Sequence, residues 1–130
     1  MNPIRMAAVL TVTLALVLYT VGILKEQRGH KVTAGVRGFL TFGLVFDFTA
    51  TMLMVAATGS FAATLHGVLG WSALALMLVD VVLLWRHARA HGLAEVPRGL
   101  HLYSRIAYLY WVAAYFTGAA LVMAAKRHPA

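Results

Sequence analysis

The sequence predicts an all-α integral membrane protein, four transmembrane helices in an up-down-up-down bundle forming a single membrane domain over residues 1–130. Three observations carry that expectation. The chain is 62% apolar and only 12% charged, with a mean hydropathy of +0.80, whereas a soluble domain carries about a quarter of its residues charged. A soluble fold of 130 residues would leave much of that apolar surface in water, because small domains bury a limited share of their surface. Four apolar runs follow one another, each near the roughly 20 residues needed to cross the hydrocarbon core. The 11 Lys and Arg residues gather between and beside those runs, as membrane proteins distribute them.

The first run, Met6–Leu24, follows Arg5. It has the outline of a signal peptide but no small-x-small cleavage site, and a second apolar run follows closely, so it reads as a retained helix. Lys25–Lys31 is a polar loop. The second run is Gly38–Thr58, and Thr58–Ser60 marks a tight turn before the third, Ala62–Trp85. The connection Arg86–His101 holds Pro97, the strongest breaker in the middle of the chain, and the fourth run is Leu102–Ala125. No stretch reads as a strand.

Charge sets the expected orientation. Lys25, Arg28, Lys31, Arg37, Arg86, Arg89, Arg98 and Arg105 flank the first and third connections, against Arg5, Lys126 and Arg127 on the other side. The positive-inside rule then places loops 25–37 and 86–101 in the cytoplasm and both termini outside the inner (plasma) membrane. This placement also argues against reading the net charge of +7 as a nucleic-acid-binding surface. The chain has no cysteine, which excludes disulfides, thiolate catalysis and Cys-ligated metals. It contains no Gly-x-Ser-x-Gly, His-Glu-x-x-His or phosphate-loop motif, so hydrolytic chemistry has no support.

Charged groups in membrane helices usually point into the bundle and mark ion, proton or ligand sites. Asp47 and Asp80 therefore fix the faces of their helices. Asp47 shares a face with Gly43, Thr51, Met54 and Thr58, and Asp80 with His66, Gly70, Ala73 and Met77, at helical spacings of three and four. The fourth run offers Ser104, Tyr108, Trp111, Tyr115 and Gly118. The first offers Ala8, Thr11, Ala15, Leu18 and Gly22, mostly small residues suited to close packing. At about 1.5 Å per residue, Asp80 lies about 10 Å and Asp47 about 15 Å from the charged end, with His66 about 8 Å from the opposite turn. Trp71 and Trp111 sit midway along their helices, where an indole N–H needs an acceptor such as Asp47. Trp85 and Tyr103 fit ordinary interface belts.

These residues define an internal polar site for a ligand or a proton: Asp47, Asp80, His66, Trp111, Tyr115 and Arg105, with Asp80 expected to pair with Arg105. The plainer alternative is that Asp47 bonds Thr and Trp neighbours and the ion pair is structural, in an accessory subunit of a larger membrane complex. A b-type haem would need two histidines at one depth. His66 and His101 lie near opposite ends, leaving only a His66/Met54 pair. A metal could sit on His87 and His91, spaced i,i+4, with Glu95 and His101 completing it. Met6, Met52, Met54, Met123 and His66 form a softer set suited to Cu(I). Loops this short favour assembly into a homo-oligomer or larger complex in the lipid bilayer.

The stretches GLVFDFTATMLM (Gly43–Met54), LHGVLGWSALALMLVD (Leu65–Asp80) and HLYSRIAYLYWVAAYFTG (His101–Gly118) resemble the HsmA family of small four-helix prokaryotic membrane proteins. The distinctive elements are Phe-Asp-x-Thr, His-Gly, His-x-x-Ser and Tyr-Phe-x-Gly. The resemblance implies a four-helix fold and singles out Asp47, His66, Gly67, His101, Ser104 and Gly118. It implies His at the position of Asp80 and Gly at that of Ala50, so a shared His-based ligand role does not carry over. It implies a fold and no particular activity.

Overall fold

The computed structural model describes residues 3–58 and 65–127, with the side chains of these apart from residues 5, 57–58, 65–67 and 121–127. Four helices make up almost all of it: α1 (Pro3–Gly29), α2 (Ala34–Thr58), α3 (Leu65–His91) and α4 (Arg98–Arg127). Three contain stretches long and apolar enough to cross a membrane, Met6–Gly29, Ala34–Ala56 and Val68–His91. Among the described residues α4 adds no such stretch. Arg98, His101 and Arg105 occupy its first turns, and the far end of the expected run Leu102–Ala125 falls among residues whose side chains are not described.

The helices run further than the apolar pattern alone implies. The expected polar loop Lys25–Lys31 is mostly helix, because Lys, Glu, Gln and Arg are good helix formers and α1 simply continues through them. It stops at His30, whose φ of 56° is left-handed and whose N–H bonds the Glu26 carbonyl at 2.7 Å. That is the single-bond C-terminal cap usually built on glycine, and α3 ends the same way at Gly92, with φ of 59° and a 2.9 Å bond to the Ala88 carbonyl. The connection expected over Arg86–His101 accordingly shrinks to residues 92–97. Thr33 caps α2, its hydroxyl accepting the Val36 N–H at 3.2 Å. The backbone N–H of Val96 donates to the His30 carbonyl at 2.7 Å and so ties the two connections together.

α1 packs along α2, α3 along α4, and further contacts join α2 to α3 and α1 to α4. The closest approach is at Gly43, where an added Cβ would lie 2.6 Å from Tyr19 Cδ1. Glycine is required there because the tyrosine ring lies flush against the α2 backbone. Paired side chains step in opposite directions along α1 and α4: Gln27 with the His101 carbonyl (3.0 Å), Thr20 with Tyr108 (2.6 Å), Thr13 with Tyr115 (3.1 Å). α3 and α4 show the same pattern through Asp80 with Ser104, the Leu76 carbonyl with Tyr103 (3.0 Å), and Ser72 with Tyr110 (2.7 Å). The core joins Ala15, Tyr19 and Ile23 of α1 to Leu40, Met77, Leu84, Ala107 and Trp111. Outward faces are apolar as well, including Leu10, Leu14, Phe42, Phe48, Leu78, Val82, Ile106 and Phe116. A shell of that kind is suited to lipid, where no hydrophobic penalty attaches to exposed Leu and Phe.

Candidate functional site

Asp47 lies on the buried face of α2, one turn from Gly43 and almost out of contact with solvent (4% exposed). Its Oδ2 accepts two hydrogen bonds, from Tyr19 Oη at 3.0 Å and from Trp111 Nε1 at 2.8 Å. The two donor rings meet edge to face at 4.9 Å, a favourable aromatic geometry. Three helices therefore converge on one carboxylate oxygen. The expected indole partner of Asp47 is Trp111. Thr51 turns its hydroxyl to the Asp47 backbone carbonyl at 2.9 Å instead of to the carboxylate. Tyr115 stacks on Trp111 at 5.9 Å and reaches Thr13, so it braces the indole from one side.

Asp80 is wholly buried (0% exposed). Its Oδ1 accepts a hydrogen bond from the Ser104 hydroxyl, and its Oδ2 has no partner among the described residues. The expected ion pair with Arg105 does not form. Ser104 and Arg105 are adjacent on α4 and point about 100° apart, so only one of them can face α3. Ser104 does, and Arg105 lies on the exposed side, where its Nε donates to Gln27 Oε1 at 2.9 Å.

A third buried acid completes the interior. Glu26 of α1 is 0% exposed and pairs through Oε1 with His101 Nδ1 at 2.9 Å. Its Oε2 accepts a bond from Gln27 Nε2 at 2.6 Å, and the same amide donates to the His101 carbonyl. Nothing in the local sequence singles Glu26 out, because it stands in a run of charged residues that has the composition of a solvated loop. The available signal was its heptad spacing from Tyr19, which puts both on the buried face of α1 once that helix continues to Gly29.

The remaining expectations fare unevenly. His66 and Gly67 belong to α3, but their side chains lie outside the described residues, as does that of Met123, so neither a His66/Met54 haem pair nor the Cu(I) set is assembled among the described residues. Gly118 lies half-buried on α4. His87 and His91 do sit together, rings 5.2 Å apart. His87 Nε2 donates to the Ala94 carbonyl at 3.0 Å, while His101 is committed to Glu26. Among the described residues no three His, Asp or Glu side chains are grouped to hold a metal. Trp85, expected as a plain interface residue, donates to Thr41 at 2.9 Å and carries the Arg37 guanidinium 5.0 Å above its ring.

No family model matches the chain, nor does any curated protein or solved structure.

Proposed function

We propose that the chain is a four-span membrane bundle of up-down-up-down topology whose buried acids handle a proton, with Asp80 as the exchanging group. The observation that carries the reading is the second oxygen of Asp80, buried and without a partner among the described residues. Leaving a buried acceptor unsatisfied costs about 1–3 kcal/mol. An acid with only a structural part to play gains nothing from that cost, whereas one that must take up and release a proton needs an oxygen free of fixed donors. Asp47 has the opposite character, since Tyr19 and Trp111 both occupy one of its oxygens, and we assign it the part of a fixed anchor. Glu26 and His101 stand at the loop end of the bundle, and His66 belongs to the opposite end on the helical register of α3. An acid-lined interior running between the two ends follows from that order.

Four spans are supported by the length of α4 and by the opposite stepping of its contacts with α1 and α3. The resemblance to the HsmA family points to the same fold. The charge distribution favours cytoplasmic connections at 25–37 and 86–101 and termini outside the plasma membrane. The functional test uses proteoliposomes containing a pH-sensitive dye. Wild-type protein is expected to speed the collapse of an imposed pH gradient relative to empty liposomes, and Asp80→Asn to abolish that gain. Equal rates for Asp80→Asn and wild type, or for wild type and empty liposomes, would remove the proton reading. The interior would then be structural, and a role as an accessory membrane subunit would take its place.

A further inference from the structure

At the loop end of the bundle, a cleft of about 520 Å³ opens between the two connections, lined by His30, Glu95, Val96, Arg98, His101 and Arg105. This volume lies within the roughly 300–1,000 Å³ of small-molecule sites. Its wall is fixed, because the Val96–His30 backbone bond ties the two connections and the His30 and His101 rings stack at 4.4 Å. Arg98, Arg105, His30 and His101 line it with one acidic residue, Glu95, and His101 is paired behind the wall with the buried Glu26 carboxylate. We propose that this cleft is a binding site for a phosphate group, carried by a lipid headgroup or present as a free anion.

Several features support a phosphate over an uncharged guest. The Arg105 Nε is held by Gln27 Oε1 at 2.9 Å, which orients the guanidinium and leaves its two terminal nitrogens out of that bond. Paired guanidinium N–H groups match phosphate oxygens in a bidentate geometry that a lysine cannot offer. Arg98 and His101 belong to the first turn of α4, so the positive end of that 30-residue helix dipole adds to the same wall. His30 occupies a left-handed backbone position that glycine would fill without strain, and its ring is what that position supplies to the cleft. The inference goes beyond the buried acids and stands or falls independently of proton exchange at Asp80.

Calorimetric titration of the full chain in maltoside micelles provides the test, with inorganic phosphate and dioctanoyl phosphatidic acid as separate probes. At least one is expected to bind saturably, one per chain. Arg98→Gln/Arg105→Gln should weaken that binding about tenfold or more, from the loss of charge-assisted hydrogen bonds. Arg98→Gln alone, at an exposed position, should weaken it by less, and Glu95→Gln should tighten it. Circular dichroism of each variant establishes that the helices are retained. Binding of phosphate alone assigns the site to a free anion, and binding of the lipid alone assigns it to a headgroup. Saturable binding of neither probe, wild-type affinity in the double-arginine variant, or weaker binding in Glu95→Gln would overturn the proposal.

Discussion

Asp47 and Asp80 are acids of the same kind in neighbouring helices, both sealed from solvent, yet the protein treats them differently. Asp47 concentrates two donors from two other helices on one oxygen, with aromatic rings packed around it. Asp80 has a single serine on one oxygen and, among the described residues, nothing on the other. Burial identifies an intramembrane acid as unusual, but it does not separate a tether from a reactive group. The separation comes from asking where each oxygen's hydrogen bonds go, because an unsatisfied buried acceptor is costly wherever it is retained without a use.

If Asp47 is a tether, its surroundings should be sensitive. Tyr19→Ala removes a fully buried ring together with one of the two donors, and the loss of stability should be about 3–5 kcal/mol, measured by reversible unfolding in mixed micelles. A loss well below that range would mean that the Asp47 cluster is not the main clasp between α1 and α2. Gly43→Ala approaches the same point from the other side. Its Cβ would have to displace the Tyr19 ring, 2.6 Å away, with an expected cost of about 1–3 kcal/mol for overpacking. Tyrosine fluorescence or near-ultraviolet dichroism should report the displaced ring, and an unchanged spectrum would mean that α1 and α2 separate instead. Asp80→Asn should have the smallest effect, within about 1 kcal/mol of wild type or stabilising, since replacing a poorly compensated buried charge by a neutral group is often neutral or favourable. Destabilisation as large as that of Tyr19→Ala would make Asp80 a second tether.

The two acids also differ in how far the sequence discloses their surroundings. Both were legible as isolated carboxylates within apolar runs, and the stripe Ala73–Met77–Asp80 on α3 proved to be the buried face. Trp111 was legible because an indole far from the membrane surface needs an acceptor. Tyr19 was not: Ala8 and Ala15 of the expected stripe on the first helix are buried, but small-residue packing drew that stripe on through Leu18, whereas the buried position is Tyr19, about 100° away around the helix. Arg105 was misassigned for a related reason. Electrostatics favours a cation opposite Asp80, but the α4 register gives that place to Ser104. Glu26 was hidden by composition, as a run of charged residues continued α1 beyond the point where its apolar pattern ends. The Tyr19 and Arg105 misses each depend on which of two adjacent residues faces a neighbour, and that is decided by tertiary packing.

The central claim is that Asp80 exchanges a proton and Asp47 does not. Infrared difference spectra between acid and alkaline samples of the wild type, Asp47→Asn and Asp80→Asn address it directly. Beside the bands of Glu26, Glu95 and the C-terminus, the account predicts a carboxyl component in wild type that persists in Asp47→Asn and is lost in Asp80→Asn. A band that vanishes in Asp47→Asn and survives in Asp80→Asn would reverse the two assignments and contradict the account.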